Sequence, residues 1–291
     1  TLSIDAESNK RALVESKVDG GSSGIEIILE TMKSPLQNDL VAMEWACRLC
    51  WSLTSSQDLV KMLSSKPIMI GAISDVCHHN LANQESAPLL EACFGVIGNM
   101  AHIDSNRIEL VRCGAVQALM QGMRYHVGDY AVNIEACSAL ANLALAHPIR
   151  DAITKDDGVE AMLRCLERFF ESDEFVAEAM RVLVCLASES DFAKEAMSAQ
   201  DVIQLIVAAS SRHQESIMVQ ELCCKLLTSL SVREGTSEVI LQHGGLDVVV
   251  RALQSFSDER LHDAACYLYR NLACQLPKPD GLVKQGAVRH A

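Results

Sequence analysis

Glu135-Ala136-Cys137-Ser138-Ala139-Leu140-Ala141-Asn142-Leu143-Ala144 decides the fold, because altered copies of it recur along the 291 residues. Aligned on Asn142, the equivalent positions are Ser52, Asn99, Cys185, Ser229 and Asn271, and successive anchors stand 42 to 47 residues apart. The residue after each anchor is Leu53, Met100, Leu143, Leu186, Leu230 or Leu272. Six before it stands a small residue: Ala46, Cys93, Ala136, Ala179, Cys223 or Ala265. A fixed period in the forties is the mark of a stacked helical array.

The same register predicts the geometry. At about 100° per residue, positions −6, −3, −2 and +1 fall on one stripe of a helix, so each copy buries one face. The anchor, with −4 and −7 or −8, falls on the opposite side, and a solvent-exposed polar face is expected there. Repeated six times, that face makes a surface rather than a pocket.

Around each copy the chain reads as helix, helix, longer helix. Asn106–Val111, then Cys113-Gly114, then Ala115–Met123 lead into the Asn142 helix. Asp157-Gly158 and Gly244-Gly245 mark the same first joint, where a helix end favours left-handed backbone that glycine takes without strain. The copy spanning Ser56 to Ala101 departs most. Lys66-Pro67 replaces its glycine joint, and His78-His79 is expected at a helix end facing solvent. The repeats are placed at 7–54, 56–102, 104–146, 147–189, 190–232 and 233–275, with a partial one at 276–291. We expect one array over 1–291, and the missing initial Met and the truncated last repeat predict a fragment of a longer protein.

Composition narrows the function. The chain is 49% hydrophobic but only 4% aromatic, which suits close helix-on-helix packing. A formal net charge of −13 argues against nucleic-acid binding, which relies on Lys and Arg to neutralise phosphates. No segment reads as a signal peptide or membrane span. Of the twelve cysteines, Cys47, Cys137, Cys224 and Cys266 share position −5, and Cys93 and Cys223 share −6; they read as small buried hydrophobes. Cys47-Arg48-Leu49-Cys50 has no second pair at zinc spacing, so neither metal nor cofactor is expected. Free thiols in such number predict a cytoplasmic protein, with the nucleus as a second home. No phosphate loop, nucleophile elbow or paired-carboxylate cleft is present, so no catalytic residue and no small-molecule substrate are expected.

This arrangement resembles the armadillo repeat, most closely at Ala139-Leu140-Ala141-Asn142-Leu143-Ala144, Val219-Gln220 and Asn271-Leu272-Ala273. The resemblance implies an all-α fold, a right-handed α-α superhelix, and a non-catalytic scaffold that binds a protein or peptide segment in a groove lined by the third helices. It further implies that the anchor amides bond the partner's backbone. By match these are Asn99, Asn142 and Asn271, while Ser52, Cys185 and Ser229 break the ladder. The nuclear-import receptors of this family carry a Trp four residues before the Asn. Here that position holds Arg48, Gly95, Ser138, Arg181, Lys225 and Tyr267, so nuclear-signal binding is not expected. Arg181 and Lys225, with Arg270, either form a basic patch for an acidic segment, as in the catenin type, or pair with Glu178, Glu221 and Asp263 on their own helices. Ser138, Ser229 and Tyr267 complete the candidate face. Two alternatives stand beside the groove: an architectural subunit of a cytoskeletal or ciliary assembly docking by convex or end surfaces, and a regulatory segment of a larger enzyme.

Overall fold

The computed structural model describes residues 7–17, 21–33, 39–64, 68–188 and 190–274. Eighteen α-helices carry these residues, with a short 3-10 turn at Gln84–Ser86 and an isolated bridge between Lys17 and Ser23. The chain divides into two compact units, Thr1–Ala152 and Ile153–Ala291. The first unit holds α1 (Glu7–Glu15), α2 (Gly24–Met32), α3 (Leu40–Thr54), α4 (Gln57–Ser64), α5 (Ile68–Asn80), α6 (Ala87–Met100), α7 (Asp104–Arg112), α8 (Ala115–Tyr125) and α9 (Tyr130–Leu143). The division falls within α10 (His147–Lys155). The second holds α11 (Gly158–Arg168), α12 (Asp173–Ala187), α13 (Asp191–Met197), α14 (Gln200–Arg212), α15 (Ile217–Leu230), α16 (Thr236–Gln242), α17 (Gly245–Ser255) and α18 (Glu259–Ala273). The third helices are α3, α6 and α9 in the first unit and α12, α15 and α18 in the second.

Most third helices start on a short polar side chain that accepts otherwise orphaned backbone N–H groups. Asp39 accepts from Val41 and Ala42, Asp129 from Val132, Ser172 from Phe175 and Asp258 from Leu261. Their predicted inner stripe is buried: Leu53, Met100, Leu143, Leu186, Leu230 and Leu272 are all at most 1% exposed. Each such Leu contributes about 2 kcal/mol of burial. Position −5 is likewise fully buried at Cys47, Phe94, Cys137, Met180 and Cys224. Cys266, on the last described helix, departs from the expectation and is exposed.

Polar side chains close the corners. The carbonyl at position +2 accepts from a side chain six residues on, in the next first helix. Arg107 Nε donates to Ala101 O at 2.7 Å, Arg150 Nε to Ala144 O at 2.6 Å and Ser237 Oγ to Ser231 O at 2.9 Å. At the second corner, Asn133 Nδ2 donates to His126 O at 2.8 Å and Gln220 Nε2 to His213 O at 2.9 Å. Those two histidines then donate through Nε2 to the preceding repeat, His126 to Leu81 O at 3.0 Å and His213 to Phe170 O at 2.7 Å. A carbonyl only accepts, so each Nε2 carries the proton.

The first joint is refined in one respect. Gly114 and Gly244 take the left-handed turn, with φ of 80° and 91°. At the Asp157-Gly158 joint it is Asp157 that does so, at φ 58°. Gly158 serves a different need: a Cβ there would lie 2.4 Å from Ile153 Cγ2. The joint at Lys66-Pro67 lies outside the described residues. His78 and His79 are exposed, the former at the end of α5 with Nδ1 2.7 Å from Ser74 O.

Candidate binding face of the third helices

The anchor amides turn first to their own array. Asn142 is only 4% exposed, and its Nδ2 donates to Gly98 O at 3.1 Å. Asn99 is half-buried and donates to Thr54 Oγ1 at 3.3 Å. Asn271, also half-buried, donates to Ser231 Oγ at 2.9 Å. Every acceptor lies at the C-terminal end of the preceding third helix. The expectation that Asn142 faces solvent is therefore corrected. The anchor sits at the edge of the outward stripe, and the adjacent helix backs onto it. Asn99 retains access to solvent, lining a recess of about 410 Å³ with Gln57, Lys61 and His102.

Three cations of the face, Arg48, Arg181 and Lys225, are paired. Arg48 bonds Glu44 on its own helix at 2.8 Å and Glu91 on α6 at 2.9 Å. Hydrogen bonding to Glu44, with the charge of Glu91, holds its guanidinium still more firmly protonated. Arg181 bonds Glu178 at 2.7 Å, and Lys225 bonds Glu221. Of the two sequence alternatives, pairing along the helix is what these residues do. Arg270 instead lies over the Tyr267 ring, 5.1 Å from its centroid. Ser229 Oγ donates to Lys225 O at 3.1 Å, and Ser138 is half-exposed on α9.

Tertiary packing gathers part of this set in the second unit. Lys225 and Ser229 of α15 stand with Asp263 and Tyr267 of α18 around a second recess of about 410 Å³, whose apolar floor includes Val184 and Ala264. Arg260, which the sequence reading did not include, joins its rim. Its position eleven before the anchor puts it on the stripe of Tyr267, and that spacing was the available signal. Tyr267 is 54% exposed.

The first unit has a different surface. Trp51, at position −1 of α3, packs on Gly95 of α6, where a Cβ would lie 2.2 Å from the indole Cε2. An indole thus covers the −4 position of the second repeat, supplied by the preceding helix. Val41 and Trp45, one turn apart on α3, are 63% and 66% exposed, so this part of the outward stripe is apolar rather than polar. Among the described residues no group of three or more His, Cys, Asp or Glu is placed to hold a metal ion. No helix there is long and apolar enough to cross a membrane.

Stacked three-helix repeats with a left-handed turn between the first and second helices define an armadillo solenoid. A family model described as the GAC ARM domain matches residues 15–282, and the chain belongs to that family. Armadillo repeat-containing protein 6 of Homo sapiens and that of Pongo abelii are each 24% identical over 196 residues, 61% of this chain and 39% of theirs. The chain thus spans about two fifths of the length of these relatives. Among solved structures, an engineered protein aligns with a TM-score of 0.71 at 20% identity over 87% of this chain and 98% of its own. A designed armadillo repeat protein in complex with the peptide (KR)4 aligns at 0.67 and 18% identity over 86% of this chain and 100% of its own. A structure from work on a phosphorylation switch in the cadherin–beta-catenin interaction aligns at 0.72 and 16% identity, over 89% of this chain and 47% of that one. At these identities the likeness establishes the fold, an all-α armadillo solenoid.

Proposed function

We propose that this chain is a non-catalytic protein-interaction scaffold whose partner segment lies on the third-helix faces. The observation that carries this reading is the recess between α15 and α18. There Lys225, ion-paired with Glu221, stands with Arg260, Asp263 and the Tyr267 ring around a recess that also includes Val184 and Ala264. An aromatic body with a polar, charged rim is the usual make-up of an interface anchor. The solvent-accessible edge of Asn99 offers a second contact point in the first unit. The twelve free thiols suit a reducing compartment such as the cytoplasm. The test is to capture a partner with the full-length protein and compare it with the Lys225→Glu and Tyr267→Ala variants, which alter exposed side chains. Loss of at least tenfold in affinity for each is expected; undiminished binding by both would sink the groove reading.

A second reading, docking by other surfaces within a large assembly, is favoured by Ile108 on α7 and Phe192 on α13, 73% and 67% exposed on first rather than third helices. Under that reading Ile108→Ser or Phe192→Ser abolishes assembly while Lys225→Glu is silent.

A further inference from the structure

One pair of thiols has no part in the reading above. Third helices meet with position −5 of one repeat against position −6 of the next, so Cys223 Sγ lies 3.6 Å from Met180 Sδ. At the first seam both positions are cysteine: Cys93 Sγ stands 3.5 Å from Cys47 Sγ, and both residues are fully buried. Elsewhere within either unit the register pairs Phe94 with Ala136, Met180 with Cys223 and Cys224 with Ala265. The sulfurs need to approach by about 1.5 Å to reach disulfide length.

We propose that Cys47 and Cys93 form an oxidation site, at which a two-electron oxidant of the hydroperoxide class converts the two thiols into a disulfide joining α3 to α6. One thiolate attacks the peroxide oxygen, giving a sulfenic acid and releasing hydroxide. The second sulfur attacks the sulfenic sulfur and expels water. Two thiols lose two electrons and two protons, and hydrogen peroxide, the simplest member of that class, becomes two waters.

Placement gives the bond a consequence. Cys47 lies one turn before Trp51 and Cys93 two residues before Gly95, the residues whose contact covers the face between α3 and α6. A disulfide there fixes the spacing of these helices beneath the exposed stripe. Hydrogen bonding to Cys47 and Cys77, and then burial, push the Cys93 thiol up. The closed seam therefore reacts slowly, and oxidation follows its transient opening.

The test treats the fully reduced chain with hydrogen peroxide in sub-denaturing urea, maps linkages by mass spectrometry without reduction and follows thermal unfolding. Cys266 and Cys274 are exposed and report that oxidant was delivered. The expected result is a Cys47–Cys93 linkage reversed by dithiothreitol, with a melting temperature raised by several degrees. The Cys93→Ala variant, carrying the residue that four other copies have at this position, loses the shift but folds. Modified Cys266 or Cys274 with no Cys47–Cys93 linkage overturns the proposal. So does a predominant Cys77–Cys93 linkage, or a linked protein that melts no higher than the reduced one.

Discussion

Single residues explain why the repeats stack where they do. Asn142 is nearly sealed and gives its amide N–H to Gly98 O. Removing it strands a buried carbonyl and leaves a void. Asn142→Ala should lower unfolding free energy by about 1–3 kcal/mol, read by urea denaturation. An unchanged midpoint would mean that the bond contributes nothing to stacking. Gly95 is required because the Trp51 indole occupies the place of its side chain. In Gly95→Ala the indole must move toward solvent. With only two tryptophans in the chain, and Trp45 already 66% exposed, a red shift of the emission would report Trp51. An unshifted spectrum would count against the packing described.

At the level of elements, third helices depend on their first residue as much as on their core. Asp129 accepts from Val132 N at 3.0 Å at the start of α9. Its replacement by Ala should cost about 1 kcal/mol, measured as a lower thermal midpoint, while Asp129→Asn retains most of the stability. The first and second corners are tied by different residue types doing one task. Arg107, Arg150 and Ser237 all bond the carbonyl six residues before them. Such side chains do not share an obvious motif, and only the fold reveals their common role. The helices themselves were legible from the chain. Anchors, Gly114 and the Gly244-Gly245 pair predict boundaries that the structure shifts by a few residues, since caps and helix ends obey local rules. Asp157 was not legible, because the choice between it and Gly158 depends on how closely Ile153 approaches.

For the whole molecule, buried thiols set a stability limit at high pH. Burial pushes Cys165 up to about 11 and Cys224 up to about 12, against about 8.5 for a solvated thiol. Above the solvated value the unfolded chain loses these protons while the folded chain keeps them. Stability is therefore fully present below about pH 8.5 and declines as pH rises through the folded values. The urea midpoint should fall steadily between about pH 8.5 and 11, and Cys224→Ala should flatten part of that slope. A midpoint unchanged across the range would contradict the burial of these thiols.

The sequence by itself determined the repeat, the helix count per repeat and the buried stripe, because a helix of 3.6 residues per turn converts residue spacing directly into faces. It also placed Arg181, Lys225 and Tyr267 on the outward side. Tertiary structure decided what those faces meet. Helix periodicity carries no information about how far one repeat is shifted or rotated against the next. That relation turns Asn142 inward onto Gly98, lays Trp51 over Gly95 and brings Cys47 against Cys93. It also brings Lys225 of α15 to one recess with Arg260 and Tyr267 of α18, a meeting of two helices that spacing along the chain does not specify.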